Sequence, residues 1–192
     1  LAGVPGTIGG AIRMNAGTSL GEISDRLNWV EWIDEQGSLR RSKRSELIFR
    51  YRHAPFPKRA IVVRASFAFL TSDDEELEQE KAAIDHHLER RSQTQPLKMP
   101  SCGSVFTNPP GDYAGRLIDS SGLKGFRIGD AQISEKHANF MVNLGSATAI
   151  DMYKLIATAR RRVFAEHGVC LTPEVQLLGD WSDQQWPPPV ED

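Results

Sequence analysis

A serine follows a glycine and precedes an apolar pair and an Asn-Pro step in Pro100-Ser101-Cys102-Gly103-Ser104-Val105-Phe106-Thr107-Asn108-Pro109. Such a stretch turns sharply and leaves a small hydroxyl on a stiff loop, where it can give or take a proton if a neighbour assists it. Two other segments carry side chains that suit the same kind of work. Tyr51-Arg52 offers a guanidinium that stays charged and presents a planar fork to a carboxylate or phosphate. Leu171-Thr172-Pro173-Glu174-Val175 offers a carboxylate beside a proline-stiffened bend. Taken singly, each has an ordinary structural reading: Arg52 in an ion pair, Ser104 in a turn, Glu174 facing solvent. If Arg52, Ser104 and Glu174 act as a set, folding must gather segments far apart in sequence.

The first residues hold a second kind of chemistry. Gly3, Gly6, Gly9, Gly10 and Gly17 alternate with Pro5, Thr7, Asn15 and Ala16. Glycine permits positive φ and close approach of the backbone to a ligand, and successive free N–H groups can cradle a phosphate. The pattern is neither G-x-G-x-x-G after a strand nor a Walker loop. A tight turn leading into a helix explains it equally well.

The elements that must position these residues follow from pattern. The chain has 192 residues, 40% hydrophobic and 25% charged, with net charge −2. These values fit one or two globular domains and give no electrostatic reason to expect nucleic acid or an anionic membrane as partner. No apolar run approaches the roughly 20 residues that span a bilayer. Two cysteines, Cys102 and Cys170, make no disulfide framework, no Cys/His cluster has zinc spacing, and a reducing cytoplasm is the expected compartment.

Residues 27–34 read as a strand, 35–37 as a turn, and 39–42 as the returning arm of a hairpin. Residues 61–70 are apolar on both alternations and predict a strand buried on both faces. Ser72-Asp73-Asp74-Glu75 reads as a capping box opening a helix to about Arg91, with Leu77, Ile84 and Leu88 on one stripe. Gln95-Pro96 ends that pattern. A short helix over 113–120 stops at Gly122, and 140–143 is a strand. Thr148 and Asp151 cap a long helix with Met152, Leu155, Ile156, Ala159 and Val163 at helical spacing. Arg160-Arg161-Arg162 near its end are expected to complement the helix dipole and solvate a face. Gly168 stops the helix, 175–178 reads as a last strand, and the proline-rich end reads as flexible.

Several motifs occur in one order along nearly the whole chain. They are Gly3-Val4-Pro5-Gly6-Thr7-Ile8-Gly9-Gly10-Ala11 with Asn15-Ala16-Gly17, then Tyr51-Arg52, then Gly103-Ser104-Val105-Phe106 with Asn108-Pro109. Leu123-Lys124-Gly125, Lys136-His137-Ala138-Asn139-Phe140 and Pro173-Glu174-Val175 follow. From residue 3 to about 179 the chain resembles the UDP-N-acetylenolpyruvoylglucosamine reductase (MurB) family.

The resemblance implies an α+β fold. Residues 1–71 would be the C-terminal part of an FAD-binding domain of the VAO/PCMH type. Residues 72–192 would be a MurB-type α/β substrate-binding domain, with 180–192 a flexible tail. It implies a two-step flavoenzyme: NADPH reduces FAD, and the enolpyruvyl group of UDP-N-acetylglucosamine enolpyruvate is then reduced to give UDP-N-acetylmuramate. By the same resemblance Ser104 is the proton donor, Arg52 meets the substrate carboxylate and Glu174 acts with it. Val4, Pro5, Gly6, Thr7, Gly9, Gly10, Ala16, Gly17 and Val62 are the implied FAD-binding positions. Arg91, Gln95, Asn108 and Lys124 are implied contacts to the nucleotide diphosphate or sugar. Lys136 and His137 are expected to anchor a turn.

Three positions depart from the family pattern: Ala54 for a serine, Thr107 for a basic residue and Asp130 for a glycine. The opening Leu1-Ala2-Gly3-Val4-Pro5-Gly6 reads as a start inside a domain. The family pattern has an earlier glycine-rich loop for the FAD pyrophosphate, so a preceding segment or a second chain is expected to supply it. The rival reading is a UDP-sugar-binding module without flavin.

Overall fold

The computed structural model describes residues 1–190 and divides into two units, Leu1–Leu88 and Glu89–Asp192. Each mixes helix and sheet, so the fold is α+β.

The first unit opens with a seven-residue helix, α1 (Ile8–Met14), capped by Thr7, whose hydroxyl accepts from Gly10 N at 3.1 Å. A two-rung ribbon follows, β1 (Gly17–Thr18) with β2 (Gly21–Glu22). The expected hairpin is present as β3 (Leu27–Ile33) and β4 (Leu39–Lys43), with Gly37 at φ +80° in the turn. A third strand, β5 (Ile61–Phe67), pairs antiparallel with β3, giving the order β4-β3-β5. Ile12, Leu27, Val30, Ala54, Phe56 and Ala60 form the core, with Trp32 and Phe49 edge-on to the Phe56 ring.

The expectation of a strand buried on both faces fails for β5. It is an edge strand, and Ile61 and Val63 are 62% and 47% exposed. Apolar alternation reports what a strand can bury; sheet order decides what it does bury.

A long helix, α2 (Asp74–Thr94), begins in the first unit and ends in the second. Its cap lies one residue later than expected. Glu76 N donates to Asp73 Oδ1 at 2.9 Å and Asp73 N to Glu76 Oε2 at 3.4 Å. The stripe of Leu77, Ile84 and Leu88 is not buried, and no residue of α2 is.

The second unit is built on a four-stranded antiparallel sheet in the order β6-β9-β8-β7, from β6 (Ser101–Ser104), β7 (Arg127–Ile128), β8 (Ala131–Ile133) and β9 (Phe140–Asn143). Two helices cover it: α3 (Ala114–Ser120) packs on α4 (Ala149–His167), and α4 lies against β7 and β8. Thr148 and Asp151 form the expected capping box, and Gly168 ends α4 at φ +66°. Leu155, Ile156, Ala159 and Val163 join Val105, Phe106, Leu117, Ile118, Ile133 and Met141 in one core.

The strand expected over 175–178 does not form; the chain pairs only at Pro173, opposite Phe106. Beyond it, where composition predicts a flexible end, Trp181 stacks on Tyr153 at 5.8 Å between centroids, and the Tyr153 hydroxyl donates to Gln185 O at 2.9 Å. Trp186 packs against the same core. Glu191 and Asp192, the last residues of the expected tail, lie outside the described residues.

Candidate functional site

In the first unit the C-terminal end of α1, the ribbon and the Tyr51-Arg52 turn are joined by hydrogen bonds. Gly3 and Gly6 sit at φ +74° and +127°, a region closed to most side chains. A Cβ at Gly6 would meet nothing within 4 Å. At Gly9 it would lie 3.3 Å from Val62 O, so two of the expected cofactor positions, Gly9 and Val62, are packed on each other. Val4 is half-buried and Pro5 exposed.

Asn15 ends α1 in the left-handed region and is fully buried. Its Nδ2 donates to Glu22 Oε2 at 2.5 Å and to Arg50 O at 3.0 Å, while its Oδ1 has no hydrogen-bond partner. Ala16 lies between it and Gly17, where a Cβ would sit 2.9 Å from both Glu22 Cγ and Gly21 O. Gly17 therefore has to be glycine for the ribbon to close.

Arg50 and His53 exchange two backbone hydrogen bonds of 2.9 Å, which puts Tyr51 and Arg52 at the tip of a tight turn. Arg52 takes φ +53°, costly for a residue with a Cβ and held by its surroundings. Its guanidinium lies 4.8 Å over the Tyr51 ring and donates from Nη2 to Gly17 O at 3.0 Å. The turn thus brings together Arg52, Ala16 and Gly17.

In the second unit Ser104 ends β6 opposite Phe140, after Gly103 at φ +81°, and is exposed. The next residues run antiparallel to the Glu174 segment. Glu174 N donates to Val105 O at 2.8 Å and Thr107 N to Thr172 O at 3.0 Å. Ser104 and Glu174, far apart in sequence, therefore lie at the ends of adjoining segments. Thr107, in place of the family's basic residue, adds its hydroxyl to Thr172 O at 3.3 Å.

The expected substrate contacts have partners of their own. Asn108 Oδ1 accepts from Ala114 N at 3.1 Å, capping α3. Arg91 Nε donates to Gln95 Oε1 at 3.2 Å. Lys124 Nζ lies 2.7 Å from Asp119 Oδ2, both side chains being partly exposed. Lys136 and His137 anchor a turn as expected: both backbone N–H groups reach Ser134 Oγ, at 3.1 and 3.4 Å, and Phe140 N donates to His137 O.

The His137 ring packs on Phe140 with centroids 4.9 Å apart. Burial first, and the Lys124 charge second, hold its pKa below the ordinary 6.5. The unfolded chain therefore binds a proton here more readily than the folded one. Stability is expected to fall as pH drops from about 7 to about 5, and His137→Gln should flatten that dependence, read by urea unfolding at each pH.

The tasks of two residues important to this geometry escape sequence reasoning. Asn139 and Arg160 are both buried, at 4% and 5% exposed. The expectation that Arg160 solvates a helix face is wrong: its Nε donates to Leu171 O at 2.8 Å and its Nη2 to Cys170 Sγ at 3.1 Å. The signal for Arg160 lay in helical spacing, since it falls on the Ile156–Val163 stripe. Among the described residues no group of His, Cys, Asp and Glu could hold a metal ion. No helix of the described residues is long and apolar enough to cross a membrane.

Known proteins share this architecture. Residues 95–178 match the model of the C-terminal domain of UDP-N-acetylenolpyruvoylglucosamine reductase. The reductase of that name from Myxococcus xanthus is 46% identical over 181 residues, covering 94% of this chain and 57% of its own length. That from Alkalilimnicola ehrlichii is 46% identical over 179 residues, covering 93% of this chain and 59% of its own. The crystal structure of UDP-N-acetylenolpyruvylglucosamine reductase (MurB) from Thermus caldophilus superposes with TM-score 0.77 at 42% identity, over 91% of this chain and 61% of that one. The chain thus spans less than two thirds of the length of these relatives. Identity of this order along almost all of its residues, with the same fold, makes the chain similar to UDP-N-acetylenolpyruvoylglucosamine reductases over somewhat more than half of their length.

Proposed function

We propose that this chain carries the substrate-reducing apparatus of a flavin-dependent reductase acting on UDP-N-acetylglucosamine enolpyruvate. The observation that carries the reading is the pairing of the Ser104 segment with the Glu174 segment, within the span that matches the family's C-terminal domain.

The first unit fits a flavin nucleotide. Gly6 exposes backbone with open space beyond it, and the buried Asn15 Oδ1 lacks a partner beside Ala16 and Gly17. Val4, Pro5, Gly6, Thr7, Gly9, Gly10, Ala16, Gly17 and Val62 would hold it. Bound FAD, reduced by NADPH, would supply the hydride for the enolpyruvyl double bond.

The remaining work falls to this chain's own side chains. Arg52 pairs with the substrate carboxylate and stabilises the negative charge that develops on it. Ser104 Oγ gives a proton to the carbon that does not receive hydride, so the product gains one hydride and one proton across the former double bond. Glu174 orients that exchange. Arg91, Gln95, Asn108 and Lys124 contact the nucleotide diphosphate or the sugar. The two free cysteines fit a reducing cytoplasm as the setting.

Flavin retention tests the reading. A longer chain that includes the preceding segment, mixed with FAD and desalted, is expected to keep oxidised-flavin absorbance. Gly17→Val should lower that retention by about tenfold or more, because its side chain cannot fit against Glu22 and Gly21. A colourless wild-type chain that still binds the UDP-sugar would instead support a binding module without flavin.

A further inference from the structure

The segment after Ser104 is flanked on two sides, and the two flanks are made differently. Toward Glu174, the pairing of Phe106 with Pro173 is the kind in which neighbours carry the hydrogen bonds. Thr107 N reaches Thr172 O and Glu174 N reaches Val105 O. Proline fits there because its missing N–H is not called upon. It follows that the N–H and C=O of Phe106 point to the other flank, toward β9. There the strand begins only at Phe140, so no strand backbone remains to receive them.

Asn139 fills that gap. Its backbone O accepts from Val105 N at 2.9 Å. Its Oδ1 accepts from Phe106 N at 2.9 Å, and its Nδ2 donates to Phe106 O at 2.8 Å. One carboxamide thus serves both polar groups of one residue, as an opposing strand residue would. Phe106 is 1% exposed, so leaving either group unmet would carry the full cost of burying it unpaired. Asn139 is itself held, its N–H donating to His137 Nδ1 at 3.2 Å.

We propose that Asn139 is the positioning residue of the Ser104–Glu174 pair: its carboxamide holds the Phe106 peptide and thereby fixes the Glu174 segment beside the Ser104 strand. Its side-chain hydrogen bonds go to Phe106. Its consequence for turnover rests on the function proposed above; the clamp itself does not.

Asn139→Asp in the chain tests the clamp, because it keeps the acceptor and the shape but replaces the donor. At neutral pH a carboxylate then faces the Phe106 carbonyl. Amide exchange at Glu174 and Thr107, whose N–H groups donate to Val105 O and Thr172 O rather than to Asn139, should quicken by about tenfold or more, with Leu155 and Ile156 in α4 still protected. Protonating the new carboxyl in acid restores a donor, so exchange relative to the intrinsic rate should slow again. Asn139→Ala, which has no donor to regain, should show no such recovery. If Asn139→Asp unfolds at neutral pH, recovery of the fold in acid by Asn139→Asp and not by Asn139→Ala is the supporting result. Protection at Glu174 unchanged in both variants, or identical acid behaviour of the two, would overturn the proposal.

In the full-length flavin-loaded enzyme, Asn139→Asp should lower kcat for substrate reduction by about tenfold with KM and flavin reduction little changed. A wild-type enzyme without turnover, alongside a responsive Glu174 amide, would retire the functional reading and leave the clamp standing.

Discussion

Ser104→Ala in the full-length flavin-loaded enzyme is expected to leave flavin reduction by NADPH intact and to slow reduction of the enolpyruvyl substrate by about 10²–10⁴-fold. The size follows from what is removed. The residue is exposed and ends a strand, so its loss opens no core cavity. Its backbone pairing with Phe140 survives the change, and Gly103 still holds the turn at φ +81°. Stability should stay within about 0.5 kcal/mol of wild type. A large rate effect without a stability effect isolates the hydroxyl. Stopped-flow measurement of the two half-reactions, with thermal unfolding as control, gives both numbers. Normal substrate reduction by this variant would sink the assignment of Ser104 as proton donor. Slowing of both half-reactions together would point instead to a displaced cofactor.

Much of the fold of each unit could be read from the chain. The long helix announces itself through Thr148, Asp151 and Gly168, each of which does locally what its chemistry predicts. The hairpin of β3 and β4 follows from alternation and a glycine turn. What could not be read is what depends on which distant segments become neighbours. Residues 61–67 are apolar enough for the middle of a sheet and lie at its edge. Residues 175–178 alternate like a strand but have no partner strand, because pairing stops at Pro173. Trp181 and Trp186 belong to a proline-rich end by composition and to the Tyr153 face by contact.

The candidate site divides in the same way. Ser104, Arg52 and Glu174 are visible in the sequence only through the order of their motifs, since each alone is an ordinary turn or surface residue. The positive φ of Arg52 has no sequence signal, because arginine has no preference for that region. Asn139 sits in a motif that sequence reading singles out, yet its task depends on Phe106, 33 residues away, arriving beside it. Side-chain pairing to a remote peptide leaves no periodicity to detect.

Arg160 supplies the second large expected effect, on stability. Arg160→Ala should destabilise the second unit by about 2–4 kcal/mol, because it strands the buried Leu171 carbonyl and leaves a cavity. Helical spacing explains why this arginine differs from its neighbour Arg162. Position 160 follows Ile156 by four and precedes Val163 by three, so it shares their buried stripe. Arg162 faces outward and pairs with Glu166 at 3.4 Å on an exposed surface; Arg162→Ala should cost no more than about 0.5 kcal/mol. The guanidinium matters beyond its charge, since Nε and Nη2 reach two different acceptors, Leu171 O and Cys170 Sγ, from one rigid plane. Arg160→Lys should therefore recover only part of the loss. Urea unfolding of the three variants separates these terms. Arg160→Ala within about 0.5 kcal/mol of wild type would mean that the tether is dispensable. If the loss is as large as expected, the tether bears on the site directly. Leu171 stands three residues before Glu174, so the segment carrying the carboxylate is held from α4 at one end and from Val105 at the other.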